Sequence, residues 1–266
     1  MNDDHRERPV AGTGLSRVFL FILLCSALFL PSATSWAGSF DVQPVRISFT
    51  AKTRVEKLVV RNLSAGDLTV QIKVFKWVQD NDGKDVYEDT SDLLVFPRIL
   101  KIPRGEQRLI RLGTTVGPAI QEGTYRVYVE ELPVGDGKAK GTGVRFALKV
   151  GVPLFVSPLE RNNRGATGSF TIEKGKARLR TENTGNTHLV IQSITVTGRD
   201  DRGEETFSKD LKGWYLLGGA SRIYTAQIPP AICRKLSTVQ AIVRTTRNSF
   251  EETMQVTGDM CGPQTR

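Results

Sequence analysis

The sequence predicts an all-β protein made of two immunoglobulin-like β-sandwiches behind a cleavable leader. Three observations carry this. Apolar and polar residues alternate with period two along most of the chain, which is the pattern of half-buried strands. Clusters of Gly, Asn, Asp and Pro punctuate those stretches at short intervals, and no segment keeps the 3.6-residue apolar period of a helix.

The leader comes first. Arg6, Arg8 and Arg17 form a positive start, Val18 to Leu30 is an almost unbroken apolar run, and Ser35-Trp36-Ala37 offers a small-residue cleavage site. Residues 1–37 therefore read as a secretory signal peptide. The run is shorter than the roughly 20 apolar residues of a membrane span. The mature chain is expected to be exported without an integral membrane segment.

The first sandwich is expected over 38–157. Its strands are Phe40–Thr50, Val55–Arg61, Leu68–Gln79, Val95–Ile102, Gln107–Leu112, Tyr125–Leu132 and Val144–Val156. The third ends at the hairpin-type turn Asp80-Asn81-Asp82-Gly83, followed by a polar loop. Pro103-Arg104-Gly105 separates the fourth from the fifth. Seven such strands match an immunoglobulin-like sandwich. A hinge is expected at 158–165, where proline, glycine and charge interrupt the pattern. Alternation restarts in 166–266 with Gly168–Glu173, Lys176–Glu182, Thr187–Thr197, Glu205–Lys209, Ser221–Gln227, Val239–Thr245 and Glu251–Thr257.

Composition narrows the function classes. The net charge is +9, and the acids and bases of the leader cancel. Export argues against nucleic acid as the partner, and the cations are spread at alternate strand positions, as on a solvated face. Cys25 leaves with the leader, so Cys233 and Cys261 remain as an even pair in an oxidising compartment and are expected to form a disulfide. Catalysis finds little support. His188 is the one histidine outside the leader, and no G-x-S-x-G elbow accompanies it. Glu130 and Glu131 are neighbours on a strand and point to opposite faces. No catalytic residue, metal site or cofactor is assigned.

The most informative segment is the last strand of the first half. Val144, Phe146, Leu148, Val150, Val152, Leu154 and Val156 share one face. An uninterrupted strand of this length would run about 43 Å, roughly twice the usual span. Pro153 suits an edge strand. A long apolar edge is either a pairing hazard or a binding device.

Several segments, in order, resemble the periplasmic pilus chaperones of the chaperone–usher pathway. Val42-Gln43-Pro44-Val45-Arg46 is similar to that family's first strand with its cleft arginine. Residues Phe96-Pro97-Arg98 through Arg108-Leu109-Ile110-Arg111 resemble its proline-bearing strand and the turn after it. Tyr125-Arg126-Val127-Tyr128-Val129-Glu130-Glu131-Leu132-Pro133 looks like the sixth strand, in the form of the archaic branch. The alternating strand ending Phe155-Val156-Ser157-Pro158 follows.

The resemblance implies two immunoglobulin-like domains set at an angle, no enzymatic activity, and a periplasmic location. It implies pilus subunits and an outer-membrane usher as partners. The long edge strand would complete a subunit's unfinished sandwich, with Phe146, Leu148, Val150, Val152 and Leu154 filling the subunit's groove. Family members hold the subunit's terminal carboxylate with two basic residues. Arg46 matches the first. The second is a lysine whose place is taken by Pro153, so Lys149 and Arg98 are the substitutes considered. An uncovered edge also offers itself to a second copy of the free chain. The rival readings are a structural or adhesive immunoglobulin-like exported protein without subunit clients, and a hydrolase or carbohydrate-binding sandwich.

Overall fold

The computed structural model describes residues 40–132 and 147–262. The expected leader and residues 144–146 lie outside the described residues, and with them Phe146. Gly38–Arg266 forms one compact unit containing two β-sandwiches.

The first sandwich contains β1 (Phe40–Gln43), β2 (Ile47–Phe49), β3 (Val55–Asn62), β4 (Leu68–Gln79), β5 (Asp85–Asp89), β6 (Leu93–Phe96), β7 (Ile99–Ile102), β8 (Gln107–Thr114), β9 (Gly123–Glu131) and β10 (Lys149–Val156). One sheet runs β1-β3-β8-β6. The other runs β2-β10-β9-β4-β5, with β7 also paired to β4. Two expected strands are each divided in two. Phe40–Thr50 becomes β1 and β2, and Val95–Ile102 becomes β6 and β7, with the halves in different sheets. Pro44 and Pro97 stand at the breaks, where a residue without an N–H cannot continue a ladder. The polar loop expected after Gly83 is instead strand β5. Asp80 turns the hairpin by accepting from the N–H groups of Asp82 and Lys84 at 2.9 and 2.8 Å. Four of the five β5 residues are exposed, so no alternation marked it.

Leu58, Val60, Ile110 and Leu112 from one sheet meet Val70, Val127, Val129 and Leu154 from the other. All eight are fully buried, and inward rows of this kind supply most of the stabilisation of a sandwich.

The second sandwich contains β11 (Ala166–Glu173), β12 (Lys176–Asn183), β13 (Leu189–Asp200), β14 (Glu205–Lys212), β15 (Tyr215–Leu216), β16 (Ser221–Gln227), β17 (Leu236–Thr245) and β18 (Ser249–Gln255). Its sheets are β11-β12-β16 and β14-β13-β17-β18, with β15 on β13. The alternation on β12 is complete: Ala177, Leu179, Thr181 and Asn183 are buried, and the residues between them are exposed. Cys233, at the end of the short helix α1 (Pro230–Cys233), is bonded to Cys261 beside a 3-10 turn, as expected.

The two sandwiches meet over the outer face of the β10 sheet. Trp77, Phe155 and Leu217 form a small buried cluster there. Gln79 donates to the Tyr215 carbonyl at 2.9 Å and accepts from the Leu217 N–H at 3.0 Å. The Glu122 carboxylate sits 2.7 Å from both the backbone N–H and Nδ1 of His188, whose ring stacks on Phe155 at 3.6 Å. His188 is thus a packed imidazole at the domain junction.

Candidate functional site

β10 has unequal neighbours. Antiparallel β9 covers its whole length, from Lys149 opposite Glu130 to Val156 opposite Gly123. On the other side, parallel β2 pairs only with Leu154–Val156. Above that point the rim is open among the described residues. The Glu131 N–H donates to the Leu148 carbonyl at 2.9 Å, and the Ser157 N–H donates to the Phe49 carbonyl of β2 at 2.9 Å. By alternation, even-numbered residues of β10 bond to β9 and odd-numbered ones face the rim. Lys149 and Gly151 therefore offer both N–H and C=O to the open side. Pro153 offers only a carbonyl, so its missing N–H removes nothing from the sheet.

Burial divides the apolar row. Val152 and Leu154 are 2 % and 0 % exposed and belong to the core of their own sandwich. The expectation that their side chains enter a partner's groove is corrected: they hold the strand in place. Val150 is half-buried against that core, and Leu148 is 38 % exposed. These two are the described members of the row that remain available. The lower half of β10 is buried on both faces, because His188, Tyr215 and Leu217 of the second sandwich cover Phe155.

The candidate anchors separate in the same way. Arg46 is exposed and directly precedes β2, at the end where β2 leaves the rim beside Pro153. Lys149 does not join it. Its Nζ lies 2.6 Å from Oε1 of Glu130, and Lys73 holds Oε2 of the same carboxylate at 2.8 Å. Hydrogen bonds from these two lysines lower the Glu130 pKa below its ordinary value. Arg98 is also excluded from the group. It stands between β6 and β7, and β7 is reached from β10 only across β9 and β4, three strand spacings or about 14 Å.

A residue given no role by sequence reasoning takes their place. Arg126 lies on β9 directly opposite Pro153, the position of the missing lysine. Its side chain leaves the sheet on the outer face and is buried, with the guanidinium 4.0 Å from the Trp77 ring centroid. Its Nε and Nη2, together with Nε1 of Trp77, are buried without a hydrogen-bond partner among the described residues. Buried donors are nearly always paired, and three orphans around one cation mark a place suited to an acceptor. The available signal was a lone arginine in the aromatic and apolar run Tyr125–Val129.

A strand whose rim is half open among the described residues, with Arg46 and Arg126 on either side of its proline, is the geometry to be compared. Residues 39–161 match the family model described as pili and flagellar-assembly chaperone, PapD N-terminal domain. The match spans the first sandwich, which is similar to the N-terminal domain of PapD-type chaperones. Solved structures agree in fold. A chaperone–tip adhesion subunit pre-assembly complex from the archaic chaperone–usher Csu pili of Acinetobacter baumannii is 20 % identical with TM-score 0.57, covering 81 % of this chain and 97 % of that one. The YadV chaperone is 14 % identical with TM-score 0.54, covering 82 % and 99 %. The Salmonella enterica SafA pilin in complex with the SafB chaperone matches at 19 % and TM-score 0.52, covering 85 % and 100 %. No curated protein is similar enough in sequence to be matched. Two successive sandwiches joined at the end of β10 are thus the architecture this chain shares with solved pilus chaperones.

Proposed function

We infer that this chain is a periplasmic chaperone of the PapD kind. It holds pilus subunits by donor-strand complementation and passes them to an outer-membrane usher. The observation that carries this reading is the open rim of β10 above Pro153. A subunit strand would take up the N–H and C=O groups of Lys149 and Gly151, while Leu148, Val150 and the preceding Phe146 enter its apolar groove. At the foot of the rim, Arg46 and Arg126 would grip the subunit's terminal carboxylate. Guanidinium groups suit that task because they bond a carboxylate through two N–H groups at once. The form of Tyr125–Pro133 supports the archaic branch.

In this reading 1–37 is the signal peptide, 38–157 the subunit-holding domain, 158–165 the hinge and 166–266 the second domain. The structures of chaperones with a tip adhesion subunit and with a pilin support subunits as partners.

The test is co-expression with a pilin-like subunit that aggregates alone. The chaperone should keep that subunit soluble and co-purify with it. A subunit that stays insoluble beside abundant folded chaperone would favour the rival, a structural or adhesive immunoglobulin-like protein.

A further inference from the structure

The outer row of β10 along the open rim reads Lys149, Gly151, Pro153. Gly151 is exposed, and its φ is not in the left-handed region, so no turn requires glycine there. Its neighbour does. A Cβ at Gly151 would lie 2.9 Å from Cε1 and 3.3 Å from Cδ1 of Tyr128, its partner on β9, and 3.4 Å from Cδ of Arg126. The edge of the Tyr128 ring therefore occupies the space where a side chain of β10 would stand.

That ring is held from several sides. Phe75 and Tyr87 meet it edge-on at 6.0 and 5.6 Å, and Lys149 Nζ lies 4.1 Å from its centroid. Lys149 is in turn fixed by Glu130. The result is a notch open toward the rim, floored by the Tyr128 edge and flanked by the stem of Lys149 and the methylenes of Arg126.

A chain pairing with the rim places the residue opposite Gly151 on this same outer face, because directly paired residues in a ladder point the same way. With no glycine side chain in between, that residue meets Tyr128. We propose that the notch at Gly151 is a specificity pocket for an aromatic side chain on the outward face of the incoming strand. This rests on the donor-strand reading and adds to it. Groove-filling residues face inward, whereas the notch reads the opposite face. Aromatic chemistry fits because a ring edge attracts the face of a second ring, and the neighbouring ammonium attracts the same face.

The test uses the full mature protein and two synthetic ten-residue peptides of alternating valine and threonine. They are identical except for phenylalanine or alanine at the central outward position, and binding is followed by NMR titration. The phenylalanine peptide should bind about tenfold more tightly and show contacts between its ring and Tyr128. Gly151→Ala should bring the affinity ratio of the two peptides close to one. Should that variant misfold, Tyr128→Leu leaves the glycine in place and should reduce the preference by itself. Equal binding of both peptides at the rim would overturn the pocket and leave the donor-strand reading standing. Failure of both peptides to bind the rim would overturn the two together.

Discussion

Arg126 sits between β9 and the second sandwich with Nε and Nη2 unmatched among the described residues, and Arg46 stands exposed on the other side of Pro153. An orphaned buried donor costs about 1–3 kcal/mol, so a carboxylate arriving there relieves a penalty already present. Arg126→Met keeps an unbranched stem against Trp77 and removes the orphans. Its melting temperature should match or exceed the parent's, while subunit affinity falls roughly ten- to a hundredfold, as for a lost charge-assisted bond. Unchanged affinity in a surface-binding assay would remove Arg126 from the anchor. Glu130 makes a separate, pH-dependent contribution. Lys149 and Lys73 depress its folded pKa, so its stabilisation is complete above about pH 4.3, the free side-chain value, and fades as pH falls through the lower folded value. Urea unfolding across that range should show an acid-side loss that Glu130→Gln lacks.

At the scale of the element, β10 is two half-strands with different duties. Its lower half is locked by β2, its own core and the second sandwich, and its upper half has one side free among the described residues. The same chemical change should therefore have opposite consequences along one row. Leu148→Glu places a charge on an exposed position, and Val150→Glu places one at the margin of the core. A partner's groove would bury both, so subunit capture should be lost from a folded protein. Val152→Glu and Leu154→Glu place the charge in the chaperone's own core, and circular dichroism should report an unfolded first domain. Capture surviving in the upper variants would refute the donor role of this strand. The alternation was legible in the sequence, but the point at which core gives way to rim was not. Val150 and Val152 are the same residue type two positions apart, yet Val152 is buried in the core and Val150 is only half-buried at its margin. The breaks at Pro44 and Pro97 show the same limit, since alternation ran through both and could not assign the halves to different sheets.

For the whole molecule, coupling between the sandwiches is polar as well as apolar. It runs through Gln79, Glu122, Asn186 and His188 around the cluster of Trp77, Phe155 and Leu217. The second sandwich has its own staple. Cys233 and Cys261 close a loop spanning 28 positions, and in the chain-entropy model this contributes about 3–4 kcal/mol. Cys233→Ala with Cys261→Ala should lower the melting temperature of the second domain by calorimetry and leave rim peptide binding intact. Loss of binding as well would mean that the staple also supports the first domain.

The sequence by itself determined the class of structure. Period-two alternation needs only a local rule to become strands, and Cys233 and Cys261, an even pair outside the expected leader, do form the expected disulfide. It also named Arg46 as a candidate, through its resemblance to a family motif. What only the tertiary structure decided was which of several similar residues share a place. Lys149 was already paired with Glu130, Arg98 was three strands away, and Arg126 lay opposite Pro153 on a strand more than twenty residues away along the chain. Such neighbourhoods are set by strand register, and register is a property of the folded sheets rather than of any local stretch of chain.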